Sequence, residues 1–277
     1  MRNILVPTDF SATANRAADI AIAIAEKSHA EIHFLHLQIT PVPWVKLDKE
    51  KEERFPETLK EIGHAKNELN KLVKKAEDMG LKAEQFLVFD VGRVEILKHI
   101  PFHHHDFVVM GSHGVSGAKE LFIGSNTQKV IRESPVPVLI VKEKSVWPVK
   151  NMVFASSFEE DVKEPFQTVV KLADLNESSI HLLYVNVPFS FEETDRSMGK
   201  MHAFHETCPR GGTCTTNIYN SLNEERGILK FSKSIGADLI ALATHGKSGF
   251  MSFMSKSITE SLANHSQTPI LSININK

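Results

Sequence analysis

The sequence predicts an α/β protein built from two tandem doubly wound domains, each with a parallel sheet flanked by helices. Three observations support this prediction. The chain has 277 residues, enough for two domains of ordinary size. Short apolar runs rich in β-branched residues alternate with longer amphipathic stretches, and segments of the first half recur in the second. Alternating strands and helices indicate right-handed crossovers and therefore parallel strands.

Four segments of the first half recur in the second half, the first two at one offset and the last two at a smaller offset. Residues 4–10 and 31–38 correspond to residues 152–158 and 179–186 at an offset of 148. Residues 110–117 and 134–141 correspond to residues 242–249 and 266–273 at an offset of 132. The smaller second offset means that the second copy is shorter than the first, and the missing residues fall between Asn186 and Leu242. A charged connector at residues 142–149 predicts domains at residues 1–145 and 146–277.

The first copy shows the expected elements in order. Nearly continuous apolar runs predict strands buried on both faces, at residues 3–6, 31–37, 83–89, 107–110 and 138–141. Amphipathic stretches between them predict helices at residues 11–28, about 57–79, 94–100 and 126–133. Ser11 is a suitable N-cap for the first helix, and Gly80 is a C-terminal signal after the second.

Composition excludes several functional classes. Lys and Arg total 32 against 34 for Asp and Glu, so the chain lacks the basic excess expected of a nucleic-acid partner. No apolar span of about 18 residues indicates a membrane helix. Two cysteines are too few for a disulfide framework, and they fit a reducing compartment. We expect a cytoplasmic protein.

The informative residues follow the predicted strands, where parallel α/β sheets bind ligands. Asp9 follows the first strand and could accept a hydrogen bond from a ribose hydroxyl or an adenine amine. Gly111 and Gly114 follow the fourth strand, and Gly124 opens a helix whose N–H groups could cradle a phosphate. Ser125 and Thr127 add hydroxyl donors. The alternative is that these residues are turn glycines and a serine cap.

Three motifs together resemble the universal stress protein family. They are ILVPTDFS at residues 4–11, the Leu-His pair at residues 35–36, and G-x2-G-x9-G-S at residues 111–125. In that family the last pattern marks members that bind ATP. The resemblance covers both halves, as in the tandem members. It implies a five-stranded sheet of order 3-2-1-4-5 in each half, and two halves that pack as separate subunits do in single-domain relatives. A homodimer of the whole chain stays open.

The resemblance also implies a nucleotide site in the first half. Asp9 would contact the adenosine beside Pro7 and Thr8, and the Leu37 backbone would face the adenine. The ribose and phosphates would be bound by the remaining family positions, which are Met110, Gly111, His113, Gly114, Gly124, Ser125, Asn126 and Thr127. ATP, with Mg²⁺, is the expected ligand.

The second copy departs from the motif at the positions that matter. Ser157 stands in place of Asp9, Ala155 in place of Pro7, and Ala243 in place of Gly111. Lys256 replaces Gly124, although Gly246 and Ser257 remain. These changes remove a carboxylate and put side chains where the backbone would approach a ligand. We expect one competent site and one degenerate structural partner; Lys256 as a phosphate-binding charge is the alternative.

The segment in which the second copy is shorter has a different pattern. His202, His205, Cys208 and Cys214 could form a Cys2His2 zinc set, because His202 and His205 share a helix face and a glycine-rich loop joins the cysteines. Free thiols beside core histidines, or a reversible disulfide, are the alternatives. A zinc- or redox-sensing second domain would follow from either metal or disulfide.

Two further expectations concern histidine and catalysis. The run from His103 to Asp106 predicts a solvated, pH-responsive loop, since consecutive residues do not share a face and rarely form one metal site. No Walker loop, dinucleotide pattern or Ser-His-Asp set is recognisable, so slow ATP hydrolysis assisted by His113 is the most we expect. The sequence thus favours a stress-response protein regulated by nucleotide, with protein partners it does not identify. A nucleotide-independent, chaperone-like scaffold is the alternative.

Overall fold

The computed structural model describes residues 1–90, 96–113, 124–158, 162–245 and 252–275. The first half contains β1 (Asn3–Pro7), α1 (Ala12–Ser28), β2 (Glu31–Ile39), α2 (Lys49–Glu52), α3 (Pro56–Glu77), β3 (Ala83–Asp90), α4 (Ile96–Phe102), β4 (Phe107–Gly111), α5 (Ser125–Glu133) and β5 (Val138–Val141). The second half contains β6 (Asn151–Ala155), α6 (Lys163–Asn176), β7 (Ser179–Asn186), α7 (Thr194–His205), β8 (Cys214–Asn220), α8 (Glu224–Ser234), β9 (Leu239–His245), α9 (Ser252–His265) and β10 (Ile270–Ile275).

The strands form a single sheet in the order β3-β2-β1-β4-β5-β10-β9-β6-β7-β8. Each half therefore has the predicted order 3-2-1-4-5, with parallel pairing inside the half, and the predicted tandem α/β fold is confirmed. The halves meet where β5 and β10 pair antiparallel, with Leu139 opposite Leu271. That junction turns two five-stranded sheets into one continuous sheet, which the sequence alone did not predict.

Both faces of the sheet are buried, as the continuous apolar strands require. Ile4 and Val6 of β1 point to one face and Leu5 points to the other, so each contributes to a separate core. The alanine-rich face of α1 packs on β1 and β4 on the first side. Ser11 caps this helix, as predicted, by accepting the Ala14 amide at 3.2 Å.

The connection from the second to the third strand accounts for the difference in length between the halves. It runs from residue 40 to residue 82 between β2 and β3, but only from residue 187 to residue 213 between β7 and β8. The second connection is shorter by the amount by which the repeat offset falls, so the missing residues are all located here. The 22-residue helix α3 corresponds to the 12-residue helix α7. In the described ranges, no helix combines the length and the apolar character that crossing a membrane requires.

Candidate functional site

The predicted site lies where the strand order of the first half reverses. β1 and β4 are neighbours in the sheet, but the chain leaves them toward opposite sides, with β2 and β3 on one side and β5 on the other. Pro7 ends β1 and Gly111 ends β4, both at the carboxyl edge. A crevice at such a reversal is the usual ligand position in an open α/β sheet.

The turn after β1 holds Asp9 at this edge. The Thr8 amide donates to the Leu35 carbonyl at 2.8 Å, and the Phe10 amide donates to the Thr8 hydroxyl at 3.0 Å. Phe10 has a φ of 63°, a left-handed conformation that redirects the chain into α1. The Ser11 amide donates to Asp9 Oδ1 at 3.1 Å, which orients the half-buried carboxylate.

His36 supports the same turn from β2. Its Nδ1 lies 2.8 Å from the Thr8 carbonyl oxygen, and its ring stacks on Phe10 with centroids 4.6 Å apart. Leu37 follows it in β2, two residues beyond the Leu35 carbonyl and past the last residue paired with β1. The Leu35 carbonyl and the His36 ring therefore stabilise this turn, and Leu37 lies farther along β2 at the carboxyl edge.

Gly111 permits helix α1 to approach the end of β4. A Cβ added at Gly111 would lie 3.0 Å from the Ala14 nitrogen and 3.1 Å from the Thr13 carbonyl carbon. Those distances are shorter than ordinary carbon contacts, so any side chain would push against the first turn of α1. Met110, the residue before it, is buried. Packing within the protein is thus sufficient to explain the glycine.

The first turn of α5 presents backbone N–H groups toward the same edge. The Gly124 amide donates to the Ser112 carbonyl at 3.0 Å, and the Thr127 hydroxyl donates to the Gly111 carbonyl at 3.1 Å. Ser125 and Asn126 are exposed. Among the described residues no side chain caps this helix, and its first turn contains no acidic residue. The positive end of the helix dipole is therefore available to an anion.

His113 lies in the connection between the end of β4 and the start of α5. Its Nδ1 is 2.8 Å from the Ser112 hydroxyl, while its Nε2 is buried and has no hydrogen-bond partner in the described part of the chain. Burial, and then the charge of Lys142, lower the pKa of His113, so the imidazole is neutral at pH 7. Ser112 was not singled out from the sequence, although it lies inside the glycine motif.

Lys142 is a second residue that the sequence analysis did not single out. It belongs to the charged connector, yet it is only 6% exposed, and its Nζ donates to the Ala263 carbonyl in α9. Burial lowers the pKa of this ammonium group to about 8. No sequence signal distinguishes it from the exposed lysines around it, because its burial depends on how the two halves pack.

The structure thus brings most of the predicted nucleotide residues to one edge of the first half. Those residues are Pro7, Thr8, Asp9, Leu37, Met110, Gly111, His113, Gly124, Ser125, Asn126 and Thr127. Gly114 lies outside the described residues. The Thr127 hydroxyl donates inside the protein, so its own contribution is to hold α5 against β4.

The second half repeats the turn without its carboxylate. The Ser156 amide donates to the Leu183 carbonyl at 3.1 Å, and the Phe158 amide donates to the Ser156 hydroxyl at 3.1 Å. Phe158 has a φ of 55°, matching Phe10. Ser157 occupies the position of Asp9. Gly246 and the side chains of Lys256 and Ser257 lie outside the described residues.

The four predicted zinc donors are neighbours, but they do not converge on one point. No three of His202, His205, Cys208 and Cys214 have their ligand atoms within 4.8 Å of one another, although all four are described. His202 is exposed, and His205 Nε2 bonds to the Cys214 carbonyl at 2.8 Å. The two cysteines are free thiols, and burial together with a hydrogen bond to Cys208 raises the pKa of Cys214.

The run from His103 to Asp106 differs from its prediction. His105 is only 4% exposed and packs against His33 and His99, so the prediction of a solvated loop is wrong for this residue. Burial lowers the pKa of His99 and His105 to about 4, so neither side chain changes charge near neutral pH. His105 is buried because it packs against His33 of β2 and His99 of α4, and His33 is distant along the chain.

Comparisons with known proteins agree with this architecture. The model of the universal stress protein family matches residues 1–142 and 148–274. A universal stress protein of Methanocaldococcus jannaschii is 34% identical over 157 residues, covering 52% of this chain and 96% of the relative. One from Bacillus subtilis is 32% identical over 151 residues, covering 50% of this chain and 97% of the relative.

A solved structure matches both halves at once. The universal stress protein from Archaeoglobus fulgidus superposes with a TM-score of 0.76 at 22% sequence identity, covering 98% of each chain. At that identity the likeness supports the fold. The two matches to the family model, on the two halves of one sheet, carry the assignment. This chain belongs to the universal stress protein family and contains two of its domains in tandem.

Proposed function

We propose that the first half binds an adenine nucleotide, ATP with Mg²⁺, as a regulatory ligand in a stress response. One observation carries this proposal. The first turn of α5, which no described side chain caps, lies at the strand-order reversal, and the Gly124 amide donates to the carbonyl of Ser112, the residue after β4. Helix N–H groups at such a position bind phosphate. The Asp9 carboxylate at the end of the neighbouring strand supplies an acceptor for the nucleoside.

The expected roles follow from the geometry of the α5 turn and from the resemblance to the family. The N–H groups of Ser125 and Asn126 would donate to phosphate oxygens, because they lie in the first turn of α5. Asp9 would accept from a ribose hydroxyl or the adenine amine, and the Leu37 backbone would contact the base. The neutral imidazole of His113 could assist slow hydrolysis at most, since a nearby base alone is a weak catalyst.

Calorimetric titration of the purified chain with ATP and ADP tests the proposal. We expect one nucleotide per chain. Asp9→Ser, which copies the second half, should weaken binding by roughly tenfold to a hundredfold because a hydrogen bond to a charged group contributes about 1.5–3 kcal/mol. Ser157→Ala is the matched control and should leave the affinity unchanged. A folded chain that binds neither nucleotide contradicts the proposal.

A scaffold that acts without nucleotide is the second candidate. Phe189, Phe191 and Leu222 are 95%, 68% and 71% exposed near the carboxyl ends of β7 and β8, an unusual position for large apolar side chains. A partner would cover them. This candidate predicts that a partner bound by the wild-type chain is bound equally by Asp9→Ser and is lost in Phe189→Ser with Phe191→Ser.

A further inference from the structure

A second group of potential ligands lies at the opposite edge of the first half. Glu31 and His33 are alternate residues at the start of β2, and Glu84 is at the start of β3. His33 and Glu84 are paired across the two parallel strands. Alternate residues and directly paired residues point to the same face of a sheet. The three side chains therefore converge at the amino edge, away from the nucleotide site.

The ligand atoms of these residues are close enough to share an ion. One atom from each of Glu31, His33 and Glu84 lies within 4.8 Å of the other two, and His33 Nε2 is 3.1 Å from Glu31 Oε1. Ligands about 2.0–2.2 Å from a metal are separated by roughly 3–4 Å. Small rotations of the two carboxylates would therefore complete the geometry.

His105 fixes the orientation of the His33 ring from behind. Its Nε2 lies 2.9 Å from His33 Nδ1, and both residues are more than nine-tenths buried. A metal-binding imidazole commonly donates its second N–H to a buried acceptor, which fixes its tautomer. If His33 Nδ1–H donates to His105 Nε2, the lone pair of His33 Nε2 points toward the Glu31 carboxylate; in the other tautomer, His33 Nε2–H donates to Glu31 Oε1. In the first tautomer, two such acceptors face each other favourably only with a cation or a proton between them.

The surrounding histidines His99 and His105 form a polar cluster behind His33. His105 meets His33 through Nε2 at 2.9 Å, and within the described part of the chain His99 Nε2 is buried and has no hydrogen-bond partner. Buried polar atoms without partners are costly, and natural cores contain few of them. Stable packing alone would favour apolar residues here. A cluster of oriented imidazoles behind two carboxylates is instead the arrangement of a metal site and its supporting shell.

Access and charge also fit a cation. Glu84 is exposed, so an ion can enter from solvent and keep water on its remaining positions. The two carboxylates would neutralise a divalent ion. Lys82 Nζ now lies 2.8 Å from Glu31, but the lysine side chain is 73% exposed and can turn into solvent. The ammonium group thus marks the position where a cation is favourable and competes with it.

We propose that Glu31, His33 and Glu84 bind a divalent transition-metal ion of the zinc class, with His105 as the positioning residue. One imidazole and two carboxylates suit zinc and its neighbours in the first transition row. The three protein ligands leave at least one position for water. This site is separate in sequence and in space from the cysteine and histidine residues of the second half.

Calorimetry with Zn²⁺ on untagged, chelator-treated full-length protein tests this proposal. We expect one ion per chain and at least a tenfold weaker affinity in Glu84→Gln, an exposed substitution that leaves the fold intact. His104→Gln, an exposed neighbour of the cluster, is the matched control and should not change the affinity. Binding that is the same in Glu84→Gln and in the wild-type chain overturns the proposal.

Two further variants separate this site from other zinc-binding groups. Lys82→Met should tighten binding about two- to fivefold, because the competing surface ion pair is lost. Cys208→Ser with Cys214→Ser should keep the ion, and a Co²⁺-loaded sample should lack thiolate charge-transfer absorption. Loss of the ion in the double cysteine variant, or weaker binding in Lys82→Met, overturns the proposal.

Discussion

The two halves of the molecule have nearly the same turn after their first strands and different chemistry in it. The backbone amides of Thr8 and Ser156 each donate to a carbonyl of the second strand of their half. Their hydroxyl groups each accept a hydrogen bond from the amide of the phenylalanine two residues later. Phe10 and Phe158 adopt the same left-handed conformation. The residue between the hydroxyl-bearing residue and the phenylalanine is Asp9 in the first half and Ser157 in the second. The hydroxyl and the left-handed phenylalanine are common to both turns, and the turn of the second half forms without a carboxylate.

The contacts between the halves are also related but unequal. Lys142 donates to the Ala263 carbonyl of α9, and the corresponding residue Asn274 donates to the Ser134 carbonyl that follows α5. The same positions therefore reach across the junction in both directions. Only the lysine carries a charge, and it is the one whose ammonium group influences His113. Of the two contacts, only the one made by Lys142 can titrate; burial, and then the Lys142 ammonium group, lower the pKa of His113 beside the proposed nucleotide site.

The sharpest test of the comparison transfers one residue from the second half to the first. Gly124→Lys should reduce ATP affinity roughly a thousandfold, because it would disturb two or three charge-assisted bonds at the start of α5, each contributing about 1.5–3 kcal/mol. The variant should fold, since among the described residues a Cβ at Gly124 meets only Thr127 Oγ1, at 3.9 Å. Calorimetry measures the loss.

The reciprocal variant is the control. Lys256→Gly should not create a second site, because Ser157 still lacks the carboxylate. If Gly124→Lys binds ATP as tightly as the wild-type chain, a lysine at this position serves phosphate binding, and the second half would then count as competent. Binding of two nucleotides by Lys256→Gly would likewise contradict the inequality of the halves.

A smaller effect concerns stability and pH. The pKa of Lys142 is about 8 in the folded chain, below the ordinary value of 10.5, so the unfolded chain binds more protons between these values. Stability should therefore rise as pH increases through this window, by up to about 3 kcal/mol, and the gain should be absent below pH 8. Denaturant unfolding at pH 7.5 and 10 measures it.

Lys142→Asn, which copies the residue of the second half, removes the titrating group. The variant should show a rise in stability with pH that is smaller by the amount attributed to Lys142. Lys144→Asn, an exposed lysine of the same connector, is the control and should keep the wild-type dependence. An identical pH dependence in Lys142→Asn and the wild-type chain would show that burial does not lower the pKa of the Lys142 ammonium group.

The sequence predicted what is determined locally and missed what depends on packing between the halves. Strand and helix types follow from the period of the apolar residues, and Ser11 was predicted as a cap that the structure confirms. Helix α3, the second of the predicted helices, ends at Glu77 instead of about residue 79, and β4 extends to Gly111. Ends of elements depend on a few hydrogen bonds, which sequence patterns describe poorly.

The residues around the candidate sites show the same division. The glycine motif and Asp9 were identified because their spacing is a local signature. The burial of Lys142 was missed because it requires α9, and the burial of His105 was missed because it requires β2 and α4. Consecutive histidines resemble a polar loop in sequence. Residues distant along the chain decide whether such a run is solvated.

A comparable effect is expected from exchanging Gly111 of β4 and the corresponding residue Ala243 of β9. Gly111→Ala, which copies Ala243, should lower the free energy of unfolding by about 1–3 kcal/mol, because the new Cβ meets the backbone of Thr13 and Ala14 at 3.0–3.1 Å. Ala243→Gly should cost less, about 0.5–1 kcal/mol, through chain entropy. Thermal unfolding of both variants checks the order. No loss of stability in Gly111→Ala would mean that α1 leaves room for a side chain at the end of β4.

The smallest effect tests whether the two helices that follow the phosphate motifs are energetically linked. Arg132 of α5 forms a two-bond ion pair with Glu260 of α9, and Gln128 donates to the same carboxylate at 2.9 Å. The Glu260 side chain is 11% exposed but that of Arg132 is 51% exposed, so solvent screens part of the attraction. Arg132→Ala should therefore cost about 1 kcal/mol of stability, whereas Lys129→Ala, an exposed position of α5, should cost little.

Glu260→Gln introduces the residue found at the matching position of the first half, and the double variant Arg132→Ala with Glu260→Gln should lose less stability than the two single losses combined. Strict additivity in that cycle would show that α5 and α9 meet without coupling, and nucleotide bound at α5 would then have no route through this contact to the second half.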